Sequence, residues 1–144
     1  MILLTEATKD WMREGCWRIA PAGVPWIKEG HRITVGTLAH IVNPAIVGNW
    51  VEIGDWSFIG DGAAIGDRVI VSDGATIGKG VRVGDRVNID EGVTIGDGVT
   101  IGNWVDIGHG AHIGHGADIG DRFTVHEDSQ IRAYANLTTP RIKK

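Results

Sequence analysis

An aliphatic side chain occupies every sixth position from Val35 to Leu137, and the register never breaks. The residue after each aliphatic is usually glycine, and the residue two before it is small or branched, as at Ala63 and Val99. This spacing predicts a short strand with two inward side chains and one outward side chain between them. The glycine then allows a tight turn that a Cβ would obstruct. Three such turns close a triangular coil.

A second, longer period supports this closure. Similar hexapeptides recur every 18 residues, namely GNWVEI from Gly48, GDRVIV from Gly66, GDRVNI from Gly84 and GNWVDI from Gly102. A fixed period of this length is typical of solenoids, in which each repeat packs only on its neighbours. The sequence therefore predicts a stack of triangular coils whose core is the aliphatic column.

The hexads resemble those of the hexapeptide-repeat superfamily, whose chains fold as left-handed parallel β-helices with 18 residues per coil. The resemblance covers residues 30–137, about three quarters of the chain. It implies an all-β protein, a single-stranded left-handed parallel β-helix of about six coils. It also implies a homotrimer, which agrees with the closed cyclic symmetry of most oligomers.

Residues 1–29 do not follow the repeat. The stretch from Thr5 to Glu14 predicts a short helix, with Thr5 as its N-cap and Gly15 as its end. A segment rich in tryptophan and proline follows it. Because a β-helix leaves the strands of its first coil unpaired on one side, we expect residues 1–29 to form a cap there.

Three tryptophans of this cap, Trp11, Trp17 and Trp26, allow two interpretations. They can pack over the open end of the coils, or they can form a docking surface for another protein. A short basic tail, residues 138–144, follows the last coil.

One corner of the predicted coils differs chemically from the other two, which mostly carry glycine at the turn. Stacking residues 18 apart places a column of large side chains there, made of Arg32, Trp50, Arg68, Arg86, Trp104 and Arg122. Guanidinium groups can stack on the indole faces, and each such contact contributes about 0.5–1 kcal/mol at an exposed site. Two interpretations stay open: a self-supporting ladder of turns, or a contact surface for a subunit or ligand.

Composition narrows the possible partners. The formal net charge is −4 with scattered signs, so no basic surface for nucleic acid is expected. No apolar run approaches a membrane span, and the first residues lack the features of a signal peptide. The single Cys16 excludes an intrachain disulfide. We expect synthesis in the cytoplasm without signal-peptide secretion, compatible with incorporation into a particle.

Candidate chemistry lies in the run HIGHGADIGD, which starts at His112. This run is similar to the H-x-x-H-x-x-x-[IV]-G run of sugar-nucleotide and lipid A acyltransferases with hexapeptide repeats. The resemblance implies that His115 is a general base acting on an acceptor hydroxyl or amine, with acetyl-CoA or another acyl-CoA as donor. Asp97 lies one coil away in the same column, where a carboxylate can orient an imidazole.

His109 is a second candidate base, stacked between Glu91 and Glu127 in its own column. Against catalysis, turn positions two after the aliphatic are polar nearly everywhere, so a histidine there is also typical of a solvated turn. Gly116 stands where the acyltransferases commonly have Asp or Asn after the histidine. No loop leaves the register between Val35 and Leu137 to form a wall for a donor, and we expect no helical donor-binding domain after the coils.

A metal centre is not predicted. The stretch GDRVNIDEG from Gly84 looks like the G-D-R-x-N-[IV]-Q-D-G stretch of γ-class carbonic anhydrases, but Gly96 stands where that family has a zinc-binding histidine. Zinc needs three protein ligands or more. His112 is expected to point outward from a strand, while His109 and His115 lie at different corners. These three histidines therefore cannot bind one ion within a chain. A site across a three-fold axis, with one such histidine from each of three subunits, stays open.

The leading interpretation is a rigid homotrimeric module without catalysis or cofactor. It would attach to a larger assembly through its aromatic cap, as a virus-particle decoration or spike-like protein does. The alternative is a CoA-dependent acyltransferase with His115, or His109, as base. A third possibility is a trimeric sponge or sensor that binds a small anion at the subunit clefts, with charge-assisted contacts from Arg68, Arg86 and Arg122.

Overall fold

The computed structural model describes residues 1–42 and 45–138. The chain winds through three short strands in each turn, and each repeat strand pairs in parallel with the strand one coil away. Partners are 18 residues apart, as in the pairing of Ile70 with Asn88. The predictions of an all-β solenoid, of 18-residue coils and of about six coils are confirmed.

The elements before the repeat are β1 (Ile2–Leu3), α1 (Leu4–Ala7), β2 (Met12–Glu14) and β3 (Trp17–Ile19). The repeat strands are β4 (Arg32–Val35), β5 (His40–Ile41), β6 (Ile46–Val47), β7 (Val51–Ile53), β8 (Phe58–Ile59), β9 (Ala64–Ile65), β10 (Ile70–Val71), β11 (Thr76–Ile77), β12 (Arg82–Val83), β13 (Asn88–Ile89), β14 (Thr94–Ile95), β15 (Thr100–Ile101), β16 (Asp106–Ile107), β17 (His112–Ile113), β18 (Asp118–Ile119), β19 (Thr124–Val125), β20 (Gln130–Ile131) and β21 (Asn136–Leu137).

Every third strand stacks into one of three sheets. The seven-stranded sheet has the order β1-β5-β8-β11-β14-β17-β20. The eight-stranded sheet has the order β19-β16-β13-β10-β7-β4-β3-β2, and the six-stranded sheet has the order β21-β18-β15-β12-β9-β6. Three turn columns, one at each corner of the coil, connect these sheets.

The core is the column that the hydrophobic pattern predicts. Ile89 and Val87 are buried, while Asn88 between them is exposed. The same alternation holds along the coils, and it explains the strict six-residue period. Burying one such aliphatic side chain contributes about 1.5–3 kcal/mol.

Glycine after the aliphatic is required by close approach between coils. At Gly66, an added Cβ would lie 2.5 Å from Asp85 Oδ1. That oxygen accepts a hydrogen bond of 2.9 Å from the backbone N–H of Asp67, and the N–H of Asp85 donates to Asn103 Oδ1 at 2.8 Å. Asp and Asn at this turn position therefore link one coil to the next, and the glycine makes room for the link.

The N-terminal segment differs from the predicted helix over Thr5 to Glu14, which is wrong in its bounds. Helix α1 spans Leu4–Ala7, and its N-cap, Leu3, makes no side-chain capping hydrogen bond. Strands β2 and β3 form a hairpin around Gly15, whose φ is 62°. An isolated helix as short as the predicted one is only marginally stable in water. The strand β3, in contrast, is stabilised by backbone hydrogen bonds to β4.

These N-terminal residues pair with all three sheets at the first coil. Strand β1 lies antiparallel to β5, and β3 lies antiparallel to β4. The N–H of Val47 donates to the carbonyl of Trp26 at 2.8 Å, and Ile27 forms a parallel bridge with Val47 on the six-stranded sheet. The strand edges of the first coil are thus covered by the chain itself. Of the predicted basic tail, all but Thr138 lies outside the described residues.

Candidate functional site

His115 lies in the turn between β17 and β18, and its side chain is exposed. Its ring stands edge-on to the ring of Tyr134, with centroids 5.0 Å apart and planes at 86°. The backbone fixes this pair, because the N–H of Tyr134 donates to the carbonyl of His115 at 2.9 Å. Edge-to-face contacts of this kind are favourable. The imidazole is therefore oriented by an aromatic neighbour from the next coil.

Tyr134 also accounts for Gly116, the residue that departs from the acyltransferase pattern. A Cβ at Gly116 would lie 2.6 Å from Tyr134 Cδ1 and Cε1. The tyrosine ring therefore fills the space that an Asp or Asn side chain would need. Tyr134 was not predicted from the sequence. Its signal was available, because Tyr134 follows Gly116 by 18 residues in a column that carries glycine at positions 62, 80, 98 and 116.

Asp97, predicted to orient His115, has a different partner. Its Oδ1 accepts a hydrogen bond of 2.9 Å from the backbone N–H of Lys79, in the coil on the far side from His115. Over residues 1–42 and 45–138, the ion pairs are Lys9 with Glu6 and Arg32 with Glu14. Asp97 Oδ1 therefore contributes to the turn, and the role of Asp97 beside His115 stays a prediction.

His109 and His115 occupy the same turn position at which Asp and Asn link successive coils. Neither histidine makes such a link in the part of the chain that the structure describes. Their side chains are therefore not used to hold the turns, and both are exposed to solvent. Glu91 and Glu127, which occupy the same turn position, also make no such link among the described residues, so the absence of a link is shared with other polar turn residues.

His109 lines a groove of about 430 Å³ on the outer face of the eight-stranded sheet, here called the upper groove. Asp90, Asp106, His126 and Glu127 also line it. The lower groove, nearer the cap on the same sheet, has a volume of about 240 Å³. Its lining includes Glu52, Ile70, Asp73 and Glu91. Both grooves are thus rich in carboxylates.

The column of large turn residues, here called the Arg–Trp column, stacks as the sequence predicts. The guanidinium carbons of Arg32 and Arg68 lie 5.1 and 5.8 Å from the ring centroid of Trp50. Those of Arg86 and Arg122 lie 5.0 and 5.7 Å from that of Trp104. The column therefore consists of two Arg–Trp–Arg sandwiches.

The cap tryptophans pack mainly on their own chain. Trp26 is 3% exposed and stacks on Trp11, with centroids 5.5 Å apart. Trp17 stands edge-on to Trp50 at 5.1 Å, which joins the cap to the Arg–Trp column. Because Trp26 is buried, it offers no surface to a partner.

The described residues also bear on metal binding and on membrane spanning. Among the described residues, no cluster of three or more His, Cys, Asp or Glu side chains is arranged to hold a metal ion. Within the same residues, no helix has the length and apolar character needed to cross a bilayer.

Comparison with known proteins identifies the repeat. The family model for the bacterial transferase hexapeptide (six repeats) matches residues 74–105. The fold is similar to that of the acetyltransferase domain of PglB from Neisseria gonorrhoeae in complex with acetyl coenzyme A, with a TM-score of 0.64 and 22% identity over 69% of this chain. It is also similar to a candidate acetyltransferase from Bacillus cereus, with a TM-score of 0.53 and 21% identity over 72% of this chain.

The chain covers 51% of the Neisseria chain and 76% of the Bacillus chain. No curated protein matches it in sequence. The comparisons contradict the leading interpretation of a non-catalytic module attached through its cap. The repeat model is that of a transferase, and the solved structures that share the fold are described as acetyltransferases.

Proposed function

We propose that this hexapeptide-repeat solenoid is a CoA-dependent acyltransferase that works as a homotrimer, with His115 as general base and an acyl-CoA such as acetyl-CoA as donor. One observation carries the proposal. On a fold whose solved relatives include an acetyltransferase with bound acetyl-CoA, His115 is exposed, makes no turn hydrogen bond and is oriented by Tyr134.

The chemistry requires a group that accepts a proton as the acceptor attacks. A neutral imidazole nitrogen of His115 takes the proton from an acceptor hydroxyl or amine. The acceptor oxygen or nitrogen then forms a bond to the thioester carbonyl carbon, and the carbon–sulfur bond breaks. The CoA thiolate leaves and takes up the proton from the imidazolium, so His115 ends neutral. General catalysis of this kind contributes typically about 10²–10⁴-fold in rate.

Electrostatics favour His115 over His109 as the base. An acyl-CoA carries several phosphate charges, and the groove around His109 is lined by Asp90, Asp106 and Glu127. Carboxylates at that density repel an anionic donor. His115 lies at a different corner, beside the uncharged ring of Tyr134.

The first experiment measures binding of acetyl-CoA and free CoA by calorimetry, with the mass of the same sample from light scattering. Saturable binding near one site per chain supports the proposal. Release of free thiol is then followed with a panel of amino sugars and hydroxyl acceptors. A protein that binds neither acetyl-CoA nor CoA, and transfers no acetyl group, overturns it.

The second experiment assigns the base. His115→Ala is expected to lower turnover by at least about 10²-fold, with an unchanged melting temperature because the side chain is exposed. His112→Ala is the matched control, since that exposed side chain lies on the outward face of β17. If His109→Ala abolishes turnover and His115→Ala does not, the base is His109.

A further inference from the structure

Three cations of the Arg–Trp column have no ionic partner among the residues of their own chain that the structure describes. Arg32 pairs with Glu14 at 2.8 Å. Arg68, Arg86 and Arg122 make no ion pair with any residue in 1–42 or 45–138. Each stacks on a tryptophan through its planar face. The N–H groups at the rim of a stacked guanidinium remain available to carboxylates.

The two grooves carry carboxylates that are likewise without an ionic partner among the described residues. Glu52, Asp106 and Glu127 are exposed, and none of them makes an ion pair in the described part of the chain. Glu52 and Asp106 lie on the outer face of the eight-stranded sheet, each two residues after a tryptophan of the Arg–Trp column, and Glu127 lies in the turn that follows β19. One surface of the chain thus carries unpaired positive charge and an adjoining surface carries unpaired negative charge.

The two surfaces also match in height along the solenoid. Arg32, Trp50 and Arg68 belong to the coils that supply β4, β7 and β10, whose residues line the lower groove. The second sandwich is Arg86, Trp104 and Arg122. It belongs to the coils that supply β13, β16 and β19, whose residues line the upper groove. Two parallel copies side by side would bring each sandwich to the groove at its own level.

The backbone of the Arg–Trp column is in an unfavourable conformation at five of its six residues. Trp50, Arg68, Arg86, Trp104 and Arg122 have φ values of 59–62°. The left-handed conformation is unfavourable for residues with a Cβ, and glycine occupies the equivalent position at most turns of the other two corners. Residues held in such a conformation are concentrated at functional sites.

We propose that the Arg–Trp column of one copy docks into the lower and upper grooves of the next copy, in a closed ring of three parallel chains. This inference rests on the proposed homotrimer but not on the catalytic role of His115. A contact between two different surfaces of the same chain is heterologous, and it closes into a ring when the rotation permits. Because both faces of Trp50 and of Trp104 are covered by arginines, the column presents guanidinium rims rather than an open stacking platform.

The proposed contact assigns different roles to the two candidate histidines. His109 and His126 line the upper groove and become covered by the neighbouring column. His115 is not part of either groove lining and stays outside this contact. In the proposed ring, the neighbouring copy therefore covers the groove that contains His109.

The test combines charge reversal with mixing. The column variant Arg68→Glu/Arg122→Glu and the groove variant Glu52→Arg/Glu127→Arg are each expected to be monomeric by light scattering, where the wild type has the mass of three chains. Each variant keeps one intact surface, and the two reversed surfaces are also opposite in charge. Mixing the two variants is therefore expected to give complexes that contain both chains, and their formation shows that both variants are folded.

The matched controls are Lys79→Glu and Asp61→Arg, which reverse exposed charges at another corner and are expected to keep the wild-type mass. A monomeric or dimeric wild type overturns the inference, as do variants that keep the wild-type mass or a mixture that stays monomeric. Because mass and turnover are measured separately, loss of this interface and loss of the acyltransferase activity are distinguishable.

Discussion

The ring of Tyr134 stands edge-on to the ring of His115, with 5.0 Å between the ring centroids, although the two residues are 19 positions apart in the sequence. The contact exists because consecutive coils place residues 18 apart above one another, and Tyr134 directly follows Ala133, the residue 18 positions after His115. Tyr134 itself is 75% exposed. Its role in the proposed reaction is to position the imidazole.

Replacing this ring tests that role. Tyr134→Ala is expected to lower kcat by about 2- to 10-fold, because an edge-to-face contact contributes about 0.5–1.5 kcal/mol. Tyr134→Phe keeps the ring and is expected to keep kcat. Steady-state kinetics with acetyl-CoA provide the measurement. Equal losses in both variants would instead assign the effect to the hydroxyl group.

Gly116→Ala is expected to be more destabilising than Gly98→Ala. Both glycines have positive φ, 69° and 72°, so each substitution carries a backbone cost of about 1–2 kcal/mol. At Gly98 the nearest atom to an added Cβ lies 4.0 Å away, whereas at Gly116 the Tyr134 ring lies 2.6 Å away. Overpacking adds about 1–3 kcal/mol. Urea unfolding of the two variants measures the difference, and equal midpoints would show that the tyrosine ring moves freely.

Asp85→Ala is expected to lower the free energy of unfolding by about 1 kcal/mol. It removes the acceptor of the Asp67 N–H, a bond of 2.9 Å between coils. Asp85→Asn is expected to be neutral, since Asn103 accepts the equivalent bond one coil later. Asp118→Ala, an exposed change on β18, is the control. Denaturant titration checks all three, and a loss as large in Asp118→Ala would contradict the prediction.

Trp50→Ala is expected to lower the free energy of unfolding by about 1.5–3.5 kcal/mol, the sum of two cation–π contacts and one aromatic contact. Trp50 contacts Arg32, Arg68 and Trp17. Trp56→Ala is the matched control, because Trp56 has the same positive φ but is 68% exposed. Both variants are compared by urea unfolding in a buffer of high salt, where a proposed charged interface contributes little. Equal losses would show that the stacking is not stabilising.

The coils could be predicted because each hexad determines its own geometry. The inward pair, such as Val87 and Ile89, follows directly from the alternation of side chains along a strand. The stacking of Arg86 on Trp104 follows from the 18-residue period alone. Local pattern and tertiary contact coincide in a solenoid, so arithmetic along the sequence gives the contacts between coils.

The cap and the partner of Asp97 could not be predicted in this way. The pairing of β3 with β4 is antiparallel and lies outside the repeat, so the period of the sequence does not predict it. Asp97 has a neighbour in the coil before it and another in the coil after it. Spacing alone does not decide whether Asp97 contacts the backbone N–H of Lys79, as it does in the structure, or the ring of His115. The choice depends on the orientation of a backbone N–H, which only the folded turn defines.

The pairing of residues 2–27 with all three sheets has a consequence for polymerisation. A solenoid is a template for itself, because the last coil of one molecule presents the strand spacing that the first coil of another would extend. With β1, β3 and Ile27 already bonded to the first coil, that end cannot accept a further coil. The N-terminal segment thus prevents end-to-end stacking at the first coil, which would otherwise allow the solenoid to lengthen into a fibre.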